Sequence, residues 1–326
     1  MSMKHDITHF ALVGITDRDT MRSYKKSIGD FCEWAKENGI TRMKDMKGRR
    51  VSIIDEYSKH LQSREYSSGT IHTMLAPVCK GLQVSMDQVD KPRRKAGDVT
   101  KRRIDTANLQ GRREATQERF KRSVMLAEAT GARRSELGRI TYRDLQAVDE
   151  SGYRCVAIKG GKGGKDTMQR LTPGQMALCN RFIREAGGNL DRHVLTQKEL
   201  INHIDYHSIR AERAKEAYNI YSQRINAEGT KPIIDELVRR WNAFNPKDQI
   251  TVSKDGTLAC EPKSRAKNFI KTIQASNKPY MLRGDNRERA LNEGRPVQYN
   301  RLALLATSVF DLSHWRVDVT VTNYML

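Results

Sequence analysis

The sequence predicts a mainly α-helical protein with a small antiparallel β-sheet, an α+β class, divided into two lobes. Three observations carry this: repeated amphipathic runs with three- and four-residue apolar steps, one glycine-rich turn between two strand-like stretches, and a length of 326 residues. That length is too great for one ordinary helical domain and suits two of roughly 100 to 200 residues each. Apolar residues make up 37% and charged residues 30%, so the core is modest and much of the surface is solvated or covered by a partner.

The first helix is read in TMRSYKKSIGDFCEWAKENGI, where Met21, Tyr24, Ile28, Phe31 and Ala35 share one face, Thr20 stands as the cap and Gly39 as the stop. SIIDEYSKHLQ (52–62) and SSGTIHTMLAPVCKGL (67–82) repeat the pattern, with Pro77 expected to kink or shorten the second. Residues 1–90 therefore form a small helical domain. Residues 91–122 break the pattern: twelve Lys or Arg against four Asp or Glu, with no sustained apolar period. A solvated linker over 91–114 is the plain reading, and a basic strap along a phosphate backbone the functional one, with Arg93, Arg94, Lys101, Arg102 and Arg103 as its contacts.

Helix signals return in TQERFKRSVMLAEAT, break at Gly131, and resume through RRSELGRITYRDL. YRCVAIKG and TMQRLT flank KGGKGGKD as the arms of a hairpin. Helices follow over 173–187 and 207–225. Residues 226–297 are mixed: a helix in PIIDELVRRWNAF, a strand or turn in QITVSKDGTLAC, and a helix in SRAKNFIKTIQAS.

Lys and Arg outnumber Asp and Glu by 59 to 39, a formal charge of +20, so a polyanion is the default partner and nucleic acid fits best. The longest apolar runs, such as FALVGI at 10–15, fall far short of the ~20 residues of a spanning helix, and the N-terminus lacks the apolar core of a signal peptide. A cytoplasmic, nucleoid-associated protein without membrane contact is expected. Cys32, Cys79, Cys155, Cys179 and Cys260 are odd in number and scattered, which fits reduced core thiols better than disulfides or a zinc site.

Four stretches bear on chemistry. ATGARRSEL (129–137) breaks a helix just before an arginine; KGGKGGKD puts lysines on a turn; HSIR places His207 and Arg210 on one helical face; and HWRVDVTVTNYML sets His314 and Tyr324 ten apart. Singly, each is as well explained by a helix junction, solvated charge, chance spacing or a core aromatic. In this order they resemble the tyrosine recombinases, the phage integrase family of site-specific DNA recombinases.

The resemblance implies a helical core-binding domain followed by a catalytic domain (115–326), closing on DNA as a C-shaped clamp. It makes Arg133, rather than Arg134, the first catalytic arginine. Lys162 is the lysine inside Gly-Lys-Gly, with Lys165 as second choice and otherwise a DNA contact. His207 and Arg210 form the His-x-x-Arg box, His314 is the second histidine, and Tyr324 is the nucleophile. It further implies a 3′-phosphotyrosine intermediate made without metal, ATP or other cofactor. The partners are double-stranded recombination sites, a homotetramer on DNA built from free monomers or dimers, and accessory proteins that bend DNA or set direction. A non-cleaving DNA-binding relative and a type IB topoisomerase-like relaxing enzyme are the alternatives.

The residue types suit the reaction. Negative charge builds on the non-bridging oxygens of an attacked phosphodiester, and guanidiniums offer paired donors at any working pH. A tyrosine hydroxyl needs cations beside it to react as phenolate. The sequence departs from the family in two places. Just over one hundred residues separate Arg210 from His314, which marks 226–297 as an insertion able to touch DNA, a neighbouring protomer or nothing. Only Met325 and Leu326 follow Tyr324, where many members continue into a segment that docks on the next subunit, so either the chain is truncated or its tetramer is arranged differently. VDVTVT alternates like a strand, yet Val317, Val321 and Tyr324 also share a helical face; the resemblance favours a weakly held helix.

Overall fold

The computed structural model describes residues 2–94, 109–161 and 164–325. The chain divides into two compact units, Met1–Asp98 and Val99–Leu326. The class is mainly α with small antiparallel sheets.

The described part of the first unit is helical: α1 (Met3–Leu12), α2 (Arg18–Glu37), α3 (Arg50–Ser63) and α4 (Ser68–Gly81). They close around Ile7, Ile28, Phe31, Tyr57, Ile71 and Leu75. The true cap of α2 is Asp17, whose carboxylate accepts from the Thr20 amide at 2.7 Å, so the Thr20 expected as cap lies within the first turn. Pro77 sits buried inside α4 and the helix runs on to Gly81; burial of its apolar face holds α4 across the missing donor. The sequence reading missed α1, whose buried face is only Met3, Ile7 and Ala11 among polar neighbours. At Gly81 a Cβ would stand 2.5 Å from the Ile7 carbonyl oxygen, so only glycine lets α4 approach α1 this closely.

The second unit starts with α5 (Leu109–Ala115), within the stretch expected to be linker. It is docked rather than solvated: the Glu114 carboxylate accepts from the His203 amide at 2.6 Å, and Gly111 packs on the His203 carbonyl. Then come α6 (Glu118–Thr130), α7 (Arg134–Leu137) and an antiparallel sheet of β1 (Ala147–Val148), β2 (Arg154–Ile158) and β3 (Thr167–Arg170). The register Cys155↔Arg170 to Ile158↔Thr167 makes β2 and β3 the hairpin read from the sequence. Next are α8 (Pro173–Arg184), α9 (Gln197–Leu200) and α10 (Tyr206–Glu228).

Beyond α10 lie α11 (Lys231–Phe244), the ribbon β4 (Thr251–Val252) and β5 (Leu258–Ala259), and α12 (Ala266–Gln274). A second ribbon, β6 (Tyr280–Met281) with β7 (Gln298–Tyr299), encloses α13 (Gly284–Asn292). The chain finishes with α14 (Arg301–Ala306), a π-helical turn Thr307–Asp311, α15 (Val317–Thr320) and a second π turn Val321–Met325. No helix among the described residues is long and apolar enough to cross a membrane.

Two cores meet along α10. Its start joins Phe120, Leu126, Leu137, Val156 and Phe182 through Tyr206, and its body joins Leu237, Phe269, Leu305, Phe310 and Val321 through Ala214 and Tyr221. Residues 226–297, read as an insertion, supply Ile233, Leu237, Phe269, Ile270 and Leu282 to the same core that holds Tyr324. They are an integral part of this unit's interior.

A buried ionic network fastens α11 to the hairpin. Asp149 accepts from Arg170 and Arg240, both at 2.7 Å, and Glu236 accepts from Arg170 at 2.6 Å and Arg224 at 2.7 Å. Burial alone would raise both carboxyls, but the adjoining guanidiniums hold them below the usual range. Arg170 also lies 3.6 Å from the Phe310 ring centre, so hairpin, α11 and the first π turn share one charge cluster. Asp149→Ala takes from the buried Arg170 and Arg240 the carboxylate they share, leaving each with one, Glu236 and Glu150 respectively. Urea denaturation should show a loss approaching about 3–5 kcal/mol, the usual penalty for removing one partner of a buried ion pair, and a loss under about 1 kcal/mol would mean that the Asp149 arm of the network is dispensable.

Candidate active site

Gly131 ends α6 in the left-handed region at φ 62°, and its amide donates to the Ala127 carbonyl at 2.7 Å. Arg133 follows in extended conformation as the cap of α7. The Glu136 carboxylate accepts from the Arg133 amide at 2.8 Å and from its guanidinium at 2.7 Å, which aims the side chain. Arg134 turns the other way. Its guanidinium donates to the carbonyls of Leu200 (3.1 Å) and Ile204 (2.9 Å) and covers the Tyr206 ring, a structural tie for the loop after α9.

The hairpin turn lies against this pair: a Cβ on Gly161 would stand 3.5 Å from the Glu136 carboxylate. Arg139 secures the turn by donating to the Gly160 carbonyl at 2.5 Å, and the Gly160 amide donates to Asp166 at 2.7 Å. Lys165 is exposed at its end. Lys162 lies outside the described residues, as do Lys101, Arg102 and Arg103. Arg93 and Arg94 belong to the first unit and are both exposed, with Arg94 donating to the Gly69 carbonyl at 3.2 Å.

Asp205 caps α10, accepting from the amides of His207 at 3.0 Å and Ser208 at 3.3 Å. His207 sits half-buried in the first turn. One turn on, Arg210 is fully buried. Its guanidinium donates to the Gly131 carbonyl, to the Leu312 carbonyl at 2.7 Å and, through Nε, to the Tyr324 hydroxyl at 3.4 Å. Gln169 of β3, with its amide turned to satisfy both ends, donates to the Thr130 carbonyl at 2.8 Å and accepts from Arg210 at 3.3 Å.

His314 is presented by a constrained loop. Ser313 and Trp315 on either side of it are left-handed, at φ 54° and 58°, where side chains with a Cβ are uncommon. The Trp315 indole offsets that strain by packing edge-on to Trp241 (5.5 Å) and Phe269 (5.2 Å), which stack on each other at 4.7 Å. The His314 amide donates to the Ser308 carbonyl at 3.1 Å, Nδ1 lies 3.3 Å from the Ser308 hydroxyl, and the ring stacks on Tyr324 at 5.9 Å. Its Nε2 is buried and has no hydrogen-bond partner among the described residues.

Burial first, and then the charges of Arg210 and Arg133, push His314 down to about 3, so its imidazole is neutral at working pH. Below the same loop, Asp311 is raised to about 6 by burial, against the pull of Arg213 and Arg170. Tyr324 rides the second π turn at 6% exposure, so the strand suggested by VDVTVT gives way to a helical segment. Its β-branched residues pack as Val317 and Val321 into the shared core, and that burial overrides local preference.

No protein-family model matches the chain, and no curated protein matches it. Among solved structures it is similar to one described as "Crystal structure of XerA recombinase", at 13% identity and a TM-score of 0.24, over 66% of this chain and 82% of that one. A likeness that loose settles no chemistry.

The side chains themselves bring Arg133, Arg210, His314 and Tyr324 together from α7, α10 and the C-terminal segment. Glu136, Gln169 and Ser308 support them and escaped the sequence reading. Only Glu136 left a signal, three residues after the arginine that it holds. No group of three or more His, Cys, Asp or Glu able to hold a metal occurs among the described residues.

His314 gives a direct check on this geometry. Its imidazole resonances should show no titration between pH 5 and 8. An unfolded histidine takes its proton near 6.5 and the folded one not until about 3. The unfolded state therefore binds more protons in that window, and stability is lost as pH falls through it. His314→Gln should flatten that acid slope in urea titrations, and an NMR midpoint near 6.5 would contradict the burial.

Proposed function

We propose that this chain is a site-specific DNA recombinase that cleaves and rejoins DNA through a 3′-phosphotyrosine, with Tyr324 as nucleophile. The observation that carries the reading is the buried Arg210 guanidinium donating to the Tyr324 hydroxyl, with His314 stacked on the same ring. A cation against the phenol favours phenolate as the oxygen attacks.

As the Tyr324 oxygen bonds to phosphorus, the bond to the 5′ oxygen breaks and charge grows on the non-bridging oxygens. Arg133 and Arg210 meet that charge as cations, and His314 meets it as a neutral N–H donor at Nε2. His207 accepts or relays the tyrosine proton. Lys162 protonates the departing 5′ oxygen, with Lys165 as second choice. The phosphotyrosine conserves the bond energy, so a 5′ hydroxyl of a second duplex reverses the step without metal or nucleotide. Such exchange needs double-stranded sites brought together, which a homotetramer provides, with accessory proteins setting direction. The same charges at Arg93, Arg94, Lys101, Arg102 and Arg103 make 91–114 a phosphate-backbone strap.

The chemistry is tested with a nicked suicide duplex, using covalently captured genomic DNA to supply the site. Wild-type protein should leave a covalent protein–DNA band on a denaturing gel, and Tyr324→Phe should leave none. Arg133→Ala should slow adduct formation by roughly 100- to 1,000-fold. An adduct with Tyr324→Phe would sink the assignment, and relaxation of supercoiled DNA lacking the site would point to a topoisomerase instead.

The strap has its own readout. Neutralising Arg93, Arg94, Arg102 and Arg103 together should weaken binding to all duplexes. The slope of log affinity against log salt should also become shallower, by up to ~0.9 for each phosphate that the protein no longer neutralises. An unchanged slope would return the segment to a linker.

A further inference from the structure

We propose that Ser308 is a positioning residue that fixes the His314 tautomer, keeping Nδ1 as an acceptor so that Nε2 carries the proton. The use made of that proton, donation to a phosphate oxygen, rests on the recombinase reading; the tautomer itself does not.

Ser308 is fully buried on the first π turn, and its Oγ has two hydrogen-bonding partners among the described residues. One is the Arg316 backbone amide at 2.6 Å, which can only donate. The other is His314 Nδ1 at 3.3 Å. A hydroxyl that accepts from Arg316 keeps its own hydrogen to give, and Nδ1 is the group placed to receive it. The reverse arrangement, with Nδ1–H donating to Oγ, leaves the serine hydrogen without an acceptor in a buried setting, a marked desolvation penalty. It would also turn a bare Nε2 lone pair toward an approaching anion.

Geometry makes the choice firm. The Ser308 carbonyl and hydroxyl hold the amides of His314 and Arg316 respectively, so the loop is clamped at both ends around the ring. The π turn makes this reach available: the Leu312 amide bonds the Thr307 carbonyl five residues back, at 3.0 Å, and the widened turn leaves Ser308 facing the returning chain. Because the ring is neutral, one proton decides whether Nε2 donates or repels.

The test is nitrogen NMR on full-length protein with labelled histidine, His314 being identified by the signal lost in His314→Gln. Between pH 6 and 8 the wild-type ring should show protonated Nε2 and unprotonated Nδ1. Ser308→Ala, which removes only the hydroxyl, should give mixed or inverted tautomers, and Ser308→Thr should restore the wild-type pattern. Adduct formation on the suicide duplex should fall ~10- to 100-fold in Ser308→Ala with duplex affinity unchanged, and recover in Ser308→Thr. A wild-type Nδ1–H ring, or a Ser308→Ala ring still fixed as Nε2–H, overturns the proposal. If the tautomers behave as expected and no protein forms an adduct, the serine keeps its role and the recombinase reading fails.

Discussion

A guanidinium buried to zero exposure dictates much of the second unit's architecture. A charge removed from water must find acceptors all around it, and Arg210 finds them on pieces of chain far apart in sequence: Gly131 after α6, Gln169 on β3, Leu312 past the first π turn, and Tyr324 at the end. Arginine suits the position because its planar fork bonds several oxygens at once; a lysine would meet one or two and leave the rest orphaned. Stability and chemistry thus share the same atoms. Whatever displaces the Leu312 carbonyl also moves His314, two residues on.

A second layer keeps that arrangement in place. Asp149, Glu236, Arg170 and Arg240 join hairpin to α11, and Arg170 and Arg240 both lie over Phe310, on the turn that starts the histidine loop. Trp241 and Phe269 then receive Trp315 on the loop's far side. The segment 226–297 therefore supplies two of the rings that fix His314, which explains why it is folded into the core. Its length separates Arg210 from His314 in sequence while its packing draws them together.

The helices and the hairpin were legible because their signals are local: apolar periodicity in α2, α8, α10 and α11, and glycines between β2 and β3. The residue types of the candidate site were legible too, through the order of short motifs. What escaped depends on distant partners. Nothing around Ser308 or Gln169 distinguishes them from ordinary polar residues, since their roles arise from where His314 and Arg210 arrive. α1 was hidden by a thin apolar face that is completed only by α2 and α4. The alternation of VDVTVT pointed to a strand because periodicity cannot register that Val317, Val321 and Tyr324 enter one core. Asp17 was passed over for Thr20 since both are capping types and only the fold chooses between them.

The first π turn also has a consequence for how this sequence can change over time. A π turn accommodates one more residue than the α-helix around it, so it records an extra position in the chain. Removing a single residue between Thr307 and Asp311 would let the turn close to ordinary α-helical hydrogen bonding and take away the widening by which Ser308 faces the returning chain. The hold of Ser308 on the His314 and Arg316 amides would lose its geometry. Spacing in this stretch is therefore under constraint together with the identity of Ser308, since the hydroxyl is useful only where the widened turn places it.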